Sequence, residues 1–249
     1  MLVLFFFPLT HIIAVPSFNV ADPSILKDSL LISDESFINV RGGFVKAYLQ
    51  NEQLDFGKNQ PVSDLKISGS SSLAKIILNL KERLDIGALI GAETPNMFFK
   101  YDGHNLQLNF KENWFYCGRI AATVFEIAKY SFGANFSFYY FKSHTNYFLQ
   151  DNILYYTSQA TFRKKGWQVN IGIEREFGAF SPYIGIAVCK NNALFKNFLF
   201  LPQHTLKARE NCRIGCFIGS GMSYSCCLLN IEIRLVNETA SYFSLDLRF

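Results

Sequence analysis

The chain closes on Phe243-Ser244-Leu245-Asp246-Leu247-Arg248-Phe249. Successive side chains of an extended strand point to opposite faces. Phe243, Leu245, Leu247 and Phe249 therefore share one side, and Ser244, Asp246 and Arg248 the other. The preceding segment repeats the pattern, with Ile231, Ile233 and Leu235 alternating with Asn230, Glu232 and Arg234. Farther upstream, Trp167, Val169, Ile171 and Ile173 alternate with Gln168, Asn170, Gly172 and Glu174. Phe132, Ala134, Phe136, Phe138 and Tyr140 alternate with Ser131, Gly133, Asn135, Ser137 and Tyr139. The same period opens the pattern at Ile38, Val40 and Phe44 and at Leu84, Ile86, Ala88 and Ile90. Period two over most of the chain makes the protein all-β.

Composition narrows the kind of β-protein. The 249 residues are 49% hydrophobic and only 18% charged, against about 25% charged in an ordinary soluble domain. A chain this apolar can bury surface, which excludes disorder. Mean hydropathy is only +0.11, too low for several spans of about 20 apolar residues. The uncharged stretch 214–231 is no exception, because Gly219-Ser220-Gly221 interrupts it and would weaken a membrane helix. The net charge of +4 is too small for a basic stripe that binds nucleic acid.

Turn-forming clusters divide the chain at Asn51 to Pro61, Thr94-Pro95-Asn96, Thr145-Asn146, Lys165-Gly166, Gly178 to Pro182 and Asn191-Asn192. Strands are expected near 36–49, 72–81, 83–92, 97–110, 113–127, 130–142 and 152–163. Further strands are expected near 167–177, 182–190, 193–201, 206–218, 223–235 and 237–249. With 193–201 assigned to a loop, and with the even strand number of bacterial barrels, the expectation is twelve strands, within a range of ten to fourteen.

A sandwich would alternate equally well, but several features favour a transmembrane antiparallel β-barrel. Segments of about ten residues suit a tilted bilayer crossing. Trp114-Phe115-Tyr116, Tyr139-Tyr140-Phe141 and Tyr155-Tyr156 stand at segment ends, where aromatic girdles form. Phe243, Leu245, Leu247 and the terminal Phe249 match the signal read by the outer-membrane assembly machinery, and a sandwich gives no reason for such an ending. Residues 1–14, MLVLFFFPLTHIIA, carry no charged side chain. They have the length of the apolar core of a secretory signal. Cleavage is expected after Ala14, or as late as about residue 21, leaving one barrel domain over 15–249.

With Phe249 facing lipid, Asp246, Arg248, Glu232 and Arg234 face inward, and the same test places Arg41, Lys75, Asp85, Arg119 and Glu174 inside. Facing such charges to lipid would cost about 2–4 kcal/mol each at the midplane. These nine are the candidate pore-lining residues of a passive diffusion channel for ions and small hydrophilic solutes. Their opposed signs cancel roughly, so weak ion selectivity is expected. The same groups could simply pair to brace the closing seam of a non-conducting structural or adhesive barrel, and inward rings such as Tyr139 and Phe141 could plug it.

Cys117, Cys189, Cys212, Cys216, Cys226 and Cys227 make an even set in an exported chain. They are disulfide candidates, or else buried free thiols. Cys226 and Cys227, adjacent on a strand, are expected to face opposite sides. No metal site is expected, since no His stands near Cys212 and Cys216. His104, His144 and His204 lie near expected loops. No Gly-x-Ser-x-Gly, His-Glu-x-x-His or phosphate-loop motif accompanies them, so neither enzyme nor cofactor is expected.

Ile231-Glu232-Ile233-Arg234-Leu235 running to Leu247-Arg248-Phe249 resembles the end of the chlamydial major outer-membrane proteins. Val15-Pro16 through Ala21-Asp22-Pro23-Ser24 is similar to their mature start, and Ile38-Asn39-Val40-Arg41-Gly42-Gly43-Phe44 to their first strand. Arg83-Leu84-Asp85-Ile86, Gly166-Trp167-Gln168-Val169 and Ser181-Pro182-Tyr183-Ile184-Gly185-Ile186 follow in the same order. Asn237 departs from a usually acidic position, and the chain is much shorter than those proteins. The resemblance implies an outer-membrane porin, often trimeric, set among outer-membrane lipid and disulfide-linked envelope proteins.

Overall fold

A computed structural model describes residues 37–53, 62–81, 83–156, 160–197, 205–209, 213–235 and 238–249. The signal segment, His204 and Cys212 lie outside them. The described residues contain thirteen strands and no helix. The first six are β1 (Ile38–Gln53), β2 (Val62–Leu80), β3 (Leu84–Tyr101), β4 (His104–Phe110), β5 (Asn113–Ile127) and β6 (Tyr130–Gln150). Then come β7 (Ile153–Tyr156), β8 (Thr161–Arg175), β9 (Phe180–Lys196) and β10 (Thr205–Arg209). The chain ends in β11 (Arg213–Tyr224), β12 (Cys227–Leu235) and β13 (Glu238–Arg248).

Three pairs of these strands are single staves interrupted once. β3 pairs first with β4 (Asn96↔Asn109) and then with β5 (Glu93↔Asn113), so β4 and β5 continue one another across Lys111-Glu112. β7 and β8 share β6 in the same way, and β10 and β11 share β9. β13 pairs with both β12 and β1, and the sheet closes. The result is a ring of ten antiparallel staves, within the expected range and two below its central value.

The missing two staves come from turns read where strands run on. Pro95 lies inside β3, opposite Gly69 of β2. It falls level with the Lys111-Glu112 interruption of the neighbouring stave, where the absent N–H of a proline costs no ladder bond. Gly166 and Asn191 lie mid-strand opposite one another in β8 and β9. Thr145 lies in β6 at a register shift against β4. True hairpins fall instead at Asp102-Gly103 (φ 47° and 82°) and Asp151-Asn152 (φ 48° and 69°). Both have the double positive φ of a type I′ turn, which matches the twist of the flanking strands.

At one end the connections are short, after Leu80, Ile127, Arg175 and Tyr224, and both chain ends of the ring, Ile38 and Phe249, meet there. The other end carries the longer connections 54–61 and 197–204. Outer-membrane barrels keep short turns at the periplasm and long loops outside, which sets the orientation.

Candidate functional site in the barrel interior

The outer wall is apolar over its middle. Phe44, Ile76, Phe138, Ile171, Ile186 and Ile231 are each at least 46% exposed, and many more like them ring the barrel. So large a continuous apolar surface is foreign to a soluble monomer. It is bounded below by Tyr130, Phe177 and Phe180 and above by Trp114, Tyr116 and Tyr140. The β6 run from Tyr130 to Tyr140 spans about 33 Å of strand, or roughly 25 Å along the axis at a tilt near 40°. That is the height of a lipid-facing band between aromatic girdles. The chain is an outer-membrane β-barrel.

The alternation that builds this wall delivers the other face to the interior. All nine expected residues point inward: Arg41, Lys75, Asp85, Arg119, Glu174, Glu232, Arg234, Asp246 and Arg248, none more than 4% exposed. Sequence reasoning missed three more, Glu52, Glu93 and Lys164, all equally buried. Together they make six cationic and six anionic side chains, so the buried formal charges cancel.

The pairing is specific. Arg41 is hydrogen-bonded to Asp85, whose other oxygen accepts from Asn79 Nδ2 at 2.7 Å. Lys75 Nζ meets Asp246 Oδ2 at 2.6 Å across β1, both standing opposite Gly43. A Cβ on Gly43 would lie 2.2 Å from Asp246 Oδ1, so only glycine lets these two side chains meet. Arg234 donates to Glu232 at 3.2 Å and to Gln168 Oε1 at 2.7 Å, and Tyr183 Oη donates to Glu232 at 3.2 Å. These charged groups pair with one another inside the ring, each no more than 4% exposed.

The extracellular half of the interior is apolar. Phe162 lies at its centre, with ring centroids 5.4 Å from Phe110, 5.1 Å from Phe195 and 6.1 Å from Phe141. Leu49, Ile67, Met97, Leu108 and Phe148 complete the packing. One polar island is set into it: Lys164 Nζ lies 2.5 Å from Glu52 Oε2, and Asn191 Nδ2 donates to Glu52 Oε1 at 2.8 Å. Tyr139 donates its hydroxyl to Asn191. Gly166 vacates the space for this contact, since a Cβ there would come within 2.3 Å of Asn191 Oδ1. Tyr139 and Phe141 thus occupy the interior, as their place in the alternation requires.

The closing face is as expected: Phe243 and Leu245 are outward and exposed, Leu247 and Phe249 half-buried. No disulfide joins two of the five described cysteines. Cys117 lies buried in the interior, Cys189 and Cys216 half-buried in β9 and β11. The expectation that Cys226 and Cys227 diverge is corrected. Ser225 (φ 51°) and Cys226 form the turn and only Cys227 enters the strand, so their Sγ atoms come within 4.0 Å. At the extracellular rim His104 Nδ1 lies 2.6 Å from Asp151 Oδ2, and Asp151 Oδ1 accepts the Asn105 N–H at 3.0 Å. These two bonds, the His104 contact first, hold the Asp151 carboxyl below its ordinary value. Their evident work is to join the β3–β4 and β6–β7 turns. His144 lies exposed in β6, near Thr161. No cluster of three or more metal-ligating side chains occurs among the described residues.

No protein-family model matches the chain, and no curated protein matches it. Solved structures similar to it include the outer membrane protease OmpT from Escherichia coli, 10% identical, with 85% of this chain and 95% of that one covered and a TM-score of 0.44. The outer membrane protein OprG from Pseudomonas aeruginosa is 10% identical, with 85% and 95% covered and a TM-score of 0.38. The translocator domain of the autotransporter NalP from Neisseria meningitidis is 10% identical, with 86% and 88% covered and a TM-score of 0.44.

Proposed function

We propose that this barrel is closed to hydrated solutes and serves the outer membrane as a structural element rather than as a diffusion pore. One observation carries the reading: twelve interior charges, six of each sign, are no more than 4% exposed. A water-filled lumen would wet such groups. Here eight of the twelve form direct ion pairs, Arg41–Asp85, Lys75–Asp246, Arg234–Glu232 and Lys164–Glu52, and the Phe162 cluster fills the extracellular half. In this reading the nine candidate pore-lining residues brace the wall, and the barrel works without catalytic residue or cofactor. Its partners are outer-membrane lipid, the barrel assembly machinery acting on the Phe243–Phe249 face, and envelope proteins reached through the half-buried thiols Cys216, Cys226 and Cys227. Liposome swelling with a small sugar tests it: refolded protein should give no swelling above protein-free vesicles, and swelling at a porin's rate would overturn it.

A second reading is favoured by the polar periplasmic half and by the resemblance to the chlamydial major outer-membrane proteins. There the chain is a porin of that family, as a monomer or trimer, opened by displacing the aromatic cluster. Its selectivity would be weak, because the interior charges balance. Swelling that appears only after the Phe162 cluster is truncated, in a barrel that still folds, would support this reading.

A further inference from the structure

The outer wall carries an uneven charge distribution that the interior does not explain. In the β6–β8–β9–β10 register, Lys142, Arg163, Leu194 and Lys207 form one row across four neighbouring strands. The row below is Tyr140, Lys165 and Asn192, and the next is Phe138, Trp167 and Lys190. Lys196 stands above, opposite Thr161. Lys165, Lys190, Lys196 and Lys207 are exposed, and Lys142 and Arg163 half-buried. Among the described residues no Asp or Glu shares the outward positions of these rows, and none of the six cations forms an ion pair with a described acid. The wall at β2–β3 differs, since Lys100 there lies 3.5 Å from Asp64.

Like charges on adjacent strands, with Cα atoms about 5 Å apart, repel within a Debye length of about 10 Å. A bound anion would relieve that repulsion. Its height indicates which one. Tyr116, Tyr140 and Trp167 belong to the upper girdle, and Phe136, Val169 and Ile186 lie immediately below in the lipid band. The cations therefore sit at headgroup level in the outer leaflet. A hollow of about 620 Å³ opens between Tyr140, Arg163, Lys165, Asn192, Leu194 and Lys207. That volume falls in the usual range for an organic ligand, and the apolar band beneath would take acyl chains.

We propose that this face binds a phosphorylated glycolipid of the outer leaflet, with Arg163, Lys165 and Lys207 on its phosphates and its sugar in the hollow. Arg163 is suited to the task because a guanidinium matches phosphate bidentately, while the lysines act as point charges.

The test uses refolded full-length protein in phosphatidylcholine vesicles doped with bis-phosphorylated lipid A, read by tryptophan emission. Trp114 and Trp167 are the only tryptophans and both lie at this level. The wild type should saturate, and the triple variant R163Q/K165Q/K207Q, all three at outward positions, should need at least about tenfold more lipid A, the loss of one charge-assisted bond's worth or more. Retained heat-modifiable migration shows that the variant is folded. Should the triple variant lose that migration, the single variants R163Q and K207Q, with the wild type in about 0.5 M salt, carry the test and should each weaken binding. Equal half-saturation in wild type and variants, or equal binding of dephosphorylated lipid A, would overturn the proposal. So would saturation by inorganic phosphate alone, which would make the site one for free anions, or a response to a sulfated polysaccharide but not to lipid A.

Discussion

Removing the Asp246 carboxylate should weaken the barrel more than any single surface change. Asp246 is 0% exposed and Lys75 4% exposed, with their charged atoms 2.6 Å apart. At an effective dielectric near 20 the gross attraction at that distance is about 6 kcal/mol. Desolvation of both ions offsets much of it, so the intact pair adds little net stability. Removing one partner is different, because the other stays buried without its counter-charge. D246A should therefore lower the unfolding free energy by about 3–5 kcal/mol. The double variant K75M/D246L, which leaves no ion behind, should recover most of that loss. Urea titration of the wild type, K75M, D246L and K75M/D246L in lipid vesicles, followed by tryptophan emission, gives the corners of the cycle. A coupling energy above about 2 kcal/mol is expected for groups in direct contact. A D246A cost below about 1 kcal/mol, or simple additivity of the two sites, would refute the view that charge pairing holds the seam between β13, β1 and β2.

Three other outcomes follow from the same geometry. G166V should drive a side chain into the Tyr139–Asn191 contact, where even a Cβ finds only 2.3 Å, and should cost about 1–3 kcal/mol by overpacking; an unchanged urea midpoint would contradict it. F162A should remove the centre of the aromatic cluster at a cost of about 3–5 kcal/mol, measured by the same titration, while leaving the ionic half intact. The Asp151 carboxyl, lowered first by the His104 bond and then by the Asn105 N–H, should titrate below a free aspartate in a carboxyl carbon-13 NMR series. Because the folded value is the depressed one, the contact stabilises the rim turns above the ordinary aspartate range and is lost as pH falls through the lowered value. In H104A the midpoint should move back up, and no movement would show that His104 is not the cause.

The alternation at Phe243–Phe249, Asn230–Leu235 and Trp167–Glu174 was enough to assign the faces, and with them all nine expected inward charges. Lengths were not legible in the same way. Sequence reasoning took Pro95, Gly166 and Asn191 for punctuation because such residues usually end strands. In this barrel they are interior parts: Gly166 makes room for Tyr139, Asn191 holds Glu52, and Pro95 sits beside an interrupted stave. The three missed interior charges share that cause. Glu93 precedes Thr94-Pro95, Lys164 precedes Lys165-Gly166, and Glu52 falls in the Asn51–Pro61 cluster. A filled interior needs small and polar residues in mid-strand, and those are the types that local rules assign to turns. The proposed closure of the interior was illegible for a related reason. Whether inward charges line water or one another depends on the ring's circumference, and so on a strand number that those misplaced turns inflated.

Single-channel recording tests the central claim most directly. Refolded protein inserted into a planar bilayer, with folding confirmed on the same sample by β-sheet circular dichroism, should give no sustained conductance steps under moderate voltage. Stable, long-lived open steps from the unmodified chain would contradict the account, because they require a water path through the place where Arg41 meets Asp85, Lys75 meets Asp246 and Arg234 meets Glu232.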